Sequence, residues 1–415
     1  LQAGLVFHSL YSGGRDAYTT QSCTDITGLL DADRLRDAAA ALLDRHPSLR
    51  VGFWSDGTDT VQFVPAEVAL RWRIVDLSGQ DAAAQEACCA QLRAEERDTP
   101  FDLARPPLIR FVLIRLAPDH HRLVVTDHHT LLDGWSTPLF LRELFTLYAT
   151  HQPAAHGHLP RLPGVAGRPG PGSRGPRLAG GTRRPARTVP ARPRRDPYGG
   201  DGAQQELFAE LSEEETARLT ETARSLGVTV GVLVQTAWGL LLAGLTGRDD
   251  VVFGVTVSGR PAELDGVDDI LGLFINTIAV RLRAHPARNI ADLLIDLQRR
   301  QAALAEHHHV GLTRLQELTG TAPLFDTLLV FENFPYRDAV ADEEYAGVRL
   351  RDVDVTDTTH YPVSVNVFPG PRLQLRLCHR PDAVDSAQAH ALLDRFRDLL
   401  TRIATDPGAR VGTVG

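Results

Sequence analysis

The sequence predicts a mixed α/β protein built from two lobes, and three observations support that prediction. A chain of 415 residues is longer than one ordinary hydrophobic core requires. Short runs rich in Val, Ile, Leu and Phe interleave with longer segments of helical periodicity, which is typical of alternating strands and helices. A segment over residues 151–203 separates two halves, 1–150 and 204–415, whose predicted elements are similar. We therefore expect an N-terminal lobe, a connector and a C-terminal lobe.

The first half is predicted to begin with a strand at Leu5–Tyr11 and a second strand at Ala17–Thr27. A helix follows over Asp31–Arg45, because its leucines and alanines recur at helical spacing and Asp31 is a suitable N-cap. The remaining predicted elements are strands Leu49–Trp54, Val61–Val64 and Leu70–Val75, a helix Asp81–Glu96, and a hairpin of Leu108–Leu116 with Leu123–Val125.

The second half is predicted to begin with a strand at Glu206–Leu211. Ser212, with Glu215 three residues later, forms a capping box that starts the next helix. The other predicted helices are Val230–Leu245, Asn289–Leu304 and Asp385–Ile403, and the other predicted strands are Val251–Val257, Phe274–Leu282, Thr327–Glu332, Val348–Val355, Val363–Phe368 and Leu373–Cys378.

Chemistry is concentrated in the stretch Thr126–Ser136, which joins the hairpin to a helix. It contains His128, His129, Asp133 and Gly134. Polar side chains in a strand-to-helix loop are held by rigid elements on both sides. A histidine titrates near neutrality, so a positioned imidazole can accept a proton from an amine or a hydroxyl group. The sequence therefore predicts a functional site here, although two adjacent loop histidines can also be simply solvated.

The composition argues against several classes of protein. Four cysteines show neither zinc-site spacing nor a disulfide framework, and we expect His307 and His308 to be solvated rather than metal-bound. No apolar run is long enough to cross a bilayer, and no signal peptide is visible. We therefore expect a cytoplasmic protein with no bound metal and no membrane contact.

Two further features of the composition concern the origin of the chain. It contains no Met, and its 44 basic residues are all Arg. We therefore expect a domain excised from a longer polypeptide, encoded by a GC-rich gene of actinobacterial origin. Ten Arg against one acidic residue make His151–Gly200 strongly basic within a chain of net charge −8. Such a segment can bind nucleic acid, but we do not expect a nucleic-acid partner here.

The string His128–Gly134 matches the pattern H-H-x-x-x-D-G. It resembles the signature of the condensation domains of nonribosomal peptide synthetases, which belong to the chloramphenicol-acetyltransferase-like superfamily. Further segments resemble signatures of that family and occur in the same order along the chain: Leu1–Tyr11, Arg45–Phe53, Ser258–Pro261, Leu271–Thr277, His309–Leu312, Leu329–Pro335 and Thr359–Pro362. The resemblance therefore covers nearly the whole chain.

The resemblance implies two chloramphenicol-acetyltransferase-like lobes that form a V-shaped pseudo-dimer, with the active site at their junction. Upstream donor and downstream acceptor peptidyl carrier proteins would deliver substrates on 4'-phosphopantetheine through a tunnel, next to an adenylation domain. The α-amine of the acceptor aminoacyl thioester would attack the donor acyl or peptidyl thioester and form an amide. No cofactor would be bound directly, and the excised domain is expected to be a monomer.

The resemblance also implies roles for individual residues. His129 is expected to position the α-amine and to accept its proton, with orientation of the reactants as the alternative role. His128 is expected to support the loop. Asp133 is expected to form an ion pair with Arg50 that holds the loop in shape. The backbone N–H of Gly134 is expected to lie near the developing oxyanion.

A second group of residues is expected to line the substrate tunnel. Packing is an alternative role for Trp135, and a hydrogen bond to local backbone is an alternative role for Asn276. The group consists of Trp135, Ser136, Asn276, Thr277, His360 and Tyr361.

Other members of the superfamily remain open as interpretations. An epimerization domain shares the histidine motif and shifts an α-proton without forming a bond. A non-catalytic carrier-protein docking domain usually has a damaged motif, whereas His128–Gly134 is intact. Heterocyclization domains have aspartate in place of the histidines, so that activity is not expected. We expect a D-configured donor residue, and the sequence does not identify the amino acids joined.

The connector departs from the family, whose members have an amphipathic helix at this place. Synonymous codons can be chosen for this segment so that the reading frame shifted by one base encodes such a helix, with Tyr and Trp near its start. We therefore hypothesise a frameshift over about Gln152–Tyr198, which would make a frameshift-inactivated remnant a further alternative. A disordered linker and a proline-rich spacer are the simpler interpretations.

Overall fold

A computed structural model describes residues 2–11, 18–55, 60–150, 204–261, 264–332 and 343–414. The strands are β1 (Thr19–Gly28), β2 (Gly52–Ser55), β3 (Thr60–Phe63), β4 (Trp72–Asp76), β5 (Ile109–Ala117), β6 (His120–His128), β7 (Gln205–Glu210), β8 (Asp250–Val257), β9 (Asn276–Arg283), β10 (Thr327–Phe331), β11 (Glu344–Tyr345), β12 (Val348–Thr356), β13 (Val363–Phe368) and β14 (Gln374–His379). The helices are α1 (Gln2–Tyr11), α2 (Ala32–Arg45), α3 (Ala82–Asp98), α4 (Ser136–Thr150), α5 (Glu213–Ser225), α6 (Val230–Thr246), α7 (Ile290–Leu304), α8 (Leu312–Thr319), α9 (Ser386–Thr405) and α10 (Val411–Val414).

The first sheet has the strand order β11-β12-β1-β6-β5-β4. Its core on one side is built with α2 and α4, and a smaller apolar cluster on the other side includes Cys89 and Leu92 of α3. Strand β1 pairs antiparallel with β6, so that Thr19 lies opposite His128. Strands β11 and β12 come from the second half of the sequence. The predicted division at residue 204 therefore does not separate the two sheets, because residues 344–356 return to the first one.

The second sheet has the order β7-β14-β13-β10-β8-β9, and α5, α6, α7 and α9 cover one face. The alternation of β13 shows why these residues form a strand with one apolar face. Val363, Val365 and Val367 are buried in the core shared with those helices. Ser364 and Asn366 alternate with them, so polar side chains occupy the opposite face.

Most predicted elements are present, and both predicted caps are confirmed. The Asp31 carboxylate accepts the Arg34 N–H, and Ser212 and Glu215 form a reciprocal capping box. The strand predicted at Leu5–Tyr11 is wrong, because residues 2–11 form helix α1. A short apolar run does not distinguish a strand from a buried helix, and here tertiary contacts of the buried Val6 favour the helix.

The connector 151–203, with its hypothesised frameshift, lies outside the described residues. Within the described ranges, no single helix has the length and apolarity to cross a bilayer. The pair α5 and α6, bent by 103°, meets that test jointly by length and composition.

Candidate active site

The histidine motif begins where β6 ends. His128 is the last residue of that strand, and the backbone N–H of His129 donates to the carbonyl of Tyr18 at 2.7 Å. The N–H of Leu131 then donates to the His128 carbonyl at 2.9 Å, which turns the chain toward α4. The loop is therefore fixed by backbone hydrogen bonds at its start.

The imidazole of His128 is fully buried, and both of its ring nitrogens have partners. Nδ1 lies 2.8 Å from the Thr130 hydroxyl and accepts the Thr130 N–H at 3.2 Å. Nε2 lies 3.0 Å from Oγ of Ser9 in α1. The ring also packs edge-on against Phe101 at a centroid distance of 6.3 Å. These contacts leave His128 no free nitrogen for a substrate.

His129 has a different environment. Its Nδ1 lies 2.7 Å from the carbonyl of Leu132, so Nδ1 carries the proton and Nε2 is the basic nitrogen of the neutral ring. Nε2 faces Oδ2 of Asp357 at 4.0 Å, and 12% of the side chain is exposed. Burial alone would lower the pKa of His129, but the Asp357 carboxylate, the Leu132 carbonyl and the Asp127 carboxylate outweigh it and raise the pKa above its usual value.

Two further carboxyl groups, the buried Asp127 and the half-buried Glu332, are electrostatically linked to this site. Burial raises the pKa of Asp127 to about 7, despite a hydrogen bond from Thr20 and the charge of His129. Oδ2 of Asp127 has no hydrogen-bond partner among the described residues. Burial also raises the pKa of Glu332, although Asn366 donates to its carboxylate at 2.7 Å. Burial therefore raises the pKa of two carboxyl groups that interact with the His129 ring.

Asp133 connects the motif to the second half of the chain. Its Oδ1 accepts the Ser136 N–H at 2.8 Å and so caps α4. Its Oδ2 accepts the N–H groups of Phe274 at 2.8 Å and Ile275 at 3.3 Å. Its cationic neighbour is Arg260, 3.5 Å from Oδ1, and both side chains are almost completely buried. We call these four contacts the Asp133 clamp.

The expected ion pair between Asp133 and Arg50 is therefore wrong. The Arg50 guanidinium donates to the carbonyl of Pro65 at 3.1 Å and to the carbonyl of Ala66. It orders a loop within the first half instead of holding the motif. Sequence spacing cannot identify which arginine meets a buried aspartate, and Arg260 lies 127 positions beyond Asp133 in the numbering.

Trp135 and Ser136 lie at the contact between the halves. The Trp135 Nε1–H donates to the carbonyl of Asp268 at 2.9 Å. The Ser136 hydroxyl donates to the carbonyl of Gly272 at 2.7 Å and accepts from Arg260 at 2.9 Å. Because Ser136 is fully buried among these groups, its predicted place in a substrate tunnel is wrong. Gly134 is half-buried between Asp133 and Trp135.

Asn276 and Thr277, both predicted to line the tunnel, have different environments. Asn276 donates through Nδ2 to the carbonyls of His308 at 2.6 Å and Val310 at 3.0 Å, which is the local backbone role that was the alternative. Its Oδ1 is buried without a partner in the described ranges. Thr277 is half-buried in β9, so its side chain retains some exposed surface.

His360 and Tyr361 lie in the stretch between β12 and β13. Nδ1 of His360 is 2.5 Å from the Tyr18 hydroxyl, so the residue that receives the His129 N–H also contacts this stretch. Tyr361 is buried and stacks on Phe325 at a centroid distance of 5.6 Å. Packing thus accounts for Tyr361, while His360 lies beside the motif.

Sequence reasoning missed three residues that the structure brings to the site. Asp127 directly precedes the histidine pair, and Arg260 lies in a segment that resembles a family signature, so both were within recognised stretches. Asp357 lies in none of those segments, and only the return of β12 to the first sheet brings it to His129. In the described ranges, no three His, Cys, Asp or Glu side chains group as a metal site.

Comparison with known proteins gives the family. A family model described as "Condensation domain" matches residues 1–163 and 182–415. This chain belongs to the condensation-domain family. Residues 164–181, which the family model leaves unmatched, lie inside the segment where the sequence suggested a frameshift. Resemblance to condensation domains of nonribosomal peptide synthetases, first seen in the motifs, is thereby confirmed.

The condensation domain is also similar to parts of much larger proteins. Chondramide synthase of Chondromyces crocatus is 32% identical over 420 residues, which are 97% of this chain and 10% of that protein. Vanchrobactin synthetase of Vibrio anguillarum is 31% identical over 409 residues, covering 96% of this chain and 14% of that protein. The chain therefore spans a small fraction of these relatives.

Solved structures confirm the predicted fold class. A four-domain nonribosomal peptide synthetase bound to AMP and glycine superposes with a TM-score of 0.83 at 18% identity, over 99% of this chain and 33% of that one. The first condensation domain of the calcium-dependent antibiotic synthetase, with a substrate analogue, gives 0.76 at 22% identity over 100% and 98%. The X-domain from teicoplanin biosynthesis gives 0.79 at 21% identity over 99% and 95%.

Proposed function

We propose that this condensation domain forms an amide bond between two thioester-bound substrates, with His129 as the residue that receives the amine proton. The observation that supports this most is the orientation of one ring. The Leu132 carbonyl holds the Nδ1 proton of His129, so Nε2 of the neutral imidazole is a base. Nε2 has no hydrogen bond to protein in the described ranges beyond its 4.0 Å approach to Asp357.

The chemistry requires one nucleophile and one leaving group. The acceptor enters with an α-ammonium, which transfers a proton to Nε2 of His129. The free amine attacks the carbonyl carbon of the donor thioester, the C–N bond forms, and the C–S bond breaks. The donor thiolate leaves and is protonated with the second proton lost from the nitrogen. The acceptor thioester then holds a chain longer by one residue.

We propose further parts of the machinery from the family. Donor and acceptor peptidyl carrier proteins would present the substrates on 4'-phosphopantetheine, and an adenylation domain would load the acceptor. The backbone N–H of Gly134 would stabilise the developing oxyanion. Trp135, Thr277 and His360 are the members of the predicted tunnel group whose half-buried side chains fit contact with the substrates.

A condensation assay tests the proposal directly. Donor and acceptor carrier proteins loaded with generic aminoacyl groups are mixed with the domain, and the acceptor is analysed by mass spectrometry. We expect dipeptide with the wild type and a rate lower by about 10²–10⁴-fold with His129→Ala, the usual range for loss of a general base. His309→Ala is the matched control, because the exposed His309 ring forms its hydrogen bond within its own loop, with the Glu306 carbonyl.

The same assay distinguishes the alternatives. An inverted α-carbon in the acceptor without dipeptide would indicate epimerization. No product from a domain that shows a cooperative thermal melt would indicate a docking function. No melt would indicate an inactivated remnant, and resequencing the gene over Gln152–Tyr198 would then test the frameshift. Equal rates for wild type and His129→Ala would support the amide-forming reaction but show that His129 is not its general base.

A further inference from the structure

Asp357 is held opposite His129 by contacts on both of its sides. Thr356, the residue before it, pairs with Gln21 of β1 in the first sheet. On the other side, Gln204 donates to the Thr359 carbonyl at 2.8 Å, and Tyr18 contacts His360. The stretch between β12 and β13 thus brings a carboxylate from the second half of the sequence to the histidine motif.

The distance between the two side chains fits a third group between them. Nε2 of His129 and Oδ2 of Asp357 are 4.0 Å apart, which is too far for a direct hydrogen bond. A nitrogen that lies about 2.8–3.0 Å from each of two atoms can bridge that separation with ordinary hydrogen-bond lengths. An ammonium group, with three donors and no acceptor, suits a carboxylate and a basic imidazole nitrogen.

The electrostatics of this position also favour a cation. Oδ1 of Asp357 is buried and has no hydrogen-bond partner in the described ranges. Asp127, whose side chain is buried and whose Oδ2 has no partner there either, interacts electrostatically with both His129 and Asp357. In the described ranges no Arg side chain forms an ion pair with Asp357, and the His129 ring faces it at 4.0 Å. Buried acceptors without donors are costly unless a ligand or water satisfies them.

We propose that Asp357 and His129 form the binding site for the α-ammonium of the acceptor, with Asp357 as the residue that positions it for deprotonation. This inference rests on the proposed condensation reaction and assigns its amine subsite. Asp357 holds the ammonium through a charge-assisted hydrogen bond. The ammonium nitrogen transfers one proton to Nε2 of His129, and the remaining amine keeps its lone pair for the donor carbonyl.

The charged groups around His129 determine the pKa that a titration of its ring would measure. Asp127, Asp133 and Asp357 each act on the His129 ring electrostatically, and Glu332 interacts with it from the end of β10. Removing the Asp357 charge removes the largest influence that favours the charged ring. The pKa of His129 should therefore fall in Asp357→Asn, so the choice between a binding and a purely structural Asp357 depends on the binding of an ammonium probe.

Binding of paired acceptor analogues tests the subsite without requiring turnover. The probes are N-glycyl aminopantetheine and the matching hydroxyacetyl compound, in which a hydroxyl replaces the ammonium. At about pH 7.5 most of the α-amino groups, whose pKa is about 8, are still charged, and a larger fraction of the His129 rings is neutral than at about pH 6.5. We expect NMR titration of the wild type to show about tenfold tighter binding of the glycyl compound, which corresponds to about 1.4 kcal/mol. Asp357→Asn should abolish that preference and lower the pKa of His129 in the same spectra.

Asp354→Asn is the matched control, because Asp354 lies on the neighbouring strand β12 and pairs with Arg93 of α3. It should keep both the preference and the His129 pKa. Asp357→Ala serves as a second variant if the asparagine compensates through its own hydrogen bonds. Equal affinity of the two probes for the wild type, or an unchanged preference in both Asp357 variants, would overturn the inference. If the wild type prefers the glycyl probe but forms no dipeptide in the condensation assay, the proposed reaction is refuted and the ammonium subsite stands.

Discussion

Asp133 and Phe274 are joined across the two halves of the chain by a 2.8 Å hydrogen bond from the Phe274 N–H to Oδ2 of the carboxylate. The other carboxylate oxygen caps α4 through Ser136. One side chain thus fixes both the start of the helix after the motif and the segment that precedes β9. The aspartate of the histidine motif has a structural role, which fits its complete burial.

Asp133→Ala is expected to destabilise the protein strongly. The substitution removes the acceptor of the Phe274 N–H and the carboxylate that faces the buried guanidinium of Arg260. Removing one partner of a buried ion pair typically costs about 3–5 kcal/mol of unfolding free energy. The measurement is the urea midpoint. Asp269→Ala is the control, since the exposed pair of Asp269 with Arg142 should contribute less than about 1 kcal/mol. Similar midpoints for the two variants would contradict the clamp.

A double-mutant cycle can show which arginine is the partner of Asp133. Coupling between Asp133→Ala and Arg260→Ala should be about 0.5–3 kcal/mol, because the two side chains are neighbours in one buried network. Coupling between Asp133→Ala and Arg50→Ala should be within about 0.5 kcal/mol of zero. Arg50→Ala alone should destabilise, because two carbonyls lose their donor. A larger coupling with Arg50 than with Arg260 would restore the pair expected from the sequence.

These arginines show where sequence reasoning reaches its limit. Periodicity and capping patterns depend on neighbours within a few residues, and they placed α2, α5 and most strands correctly. The partner of Asp133 and the approach of Asp357 depend on contacts between residues more than about 100 positions apart. The helix α1 was missed for a related reason, since its short apolar run is decided by tertiary packing. Motif resemblance found His129 but not the charges around it.

Gly259 makes a close backbone approach that should tolerate no side chain. Its φ is +61°, and a Cβ atom there would lie 1.9 Å from the carbonyl oxygen of Phe274. Gly259→Ala should combine left-handed backbone strain with a clash, at a cost of about 2–5 kcal/mol. It would displace the segment whose N–H groups bind Asp133.

Gly266→Ala is the matched control for that substitution. Gly266 has a similar φ of +71°, but no described atom would lie within 4 Å of a Cβ added there. Its cost should be the backbone strain alone, about 1–2 kcal/mol. Thermal denaturation of both variants gives the comparison. If Gly266→Ala loses as much stability as Gly259→Ala, the contact with Phe274 is not what requires glycine.

Asp127→Asn should change the pH dependence of stability. Burial raises the pKa of Asp127 in the folded protein to about 7, well above the usual value of an aspartate. The folded state therefore binds this proton more tightly than the unfolded state does. The stabilisation from the bound proton is complete below about pH 4 and is lost as the pH rises through the folded pKa of about 7. Asn resembles the protonated carboxyl group and does not titrate, so it avoids this loss.

The urea midpoint at about pH 5 and about pH 8 measures the difference between Asp127→Asn and the wild type. The advantage of the asparagine variant should grow by about 2–3 kcal/mol between these values, because each unit of pKa shift corresponds to about 1.4 kcal/mol. Asp354→Asn, an exposed aspartate on β12, should show the same difference from wild type at both pH values. A constant difference for Asp127→Asn would mean that its carboxyl group is already ionised at the lower pH. Its buried Oδ2 would then need a donor, such as a bound water or a substrate cation.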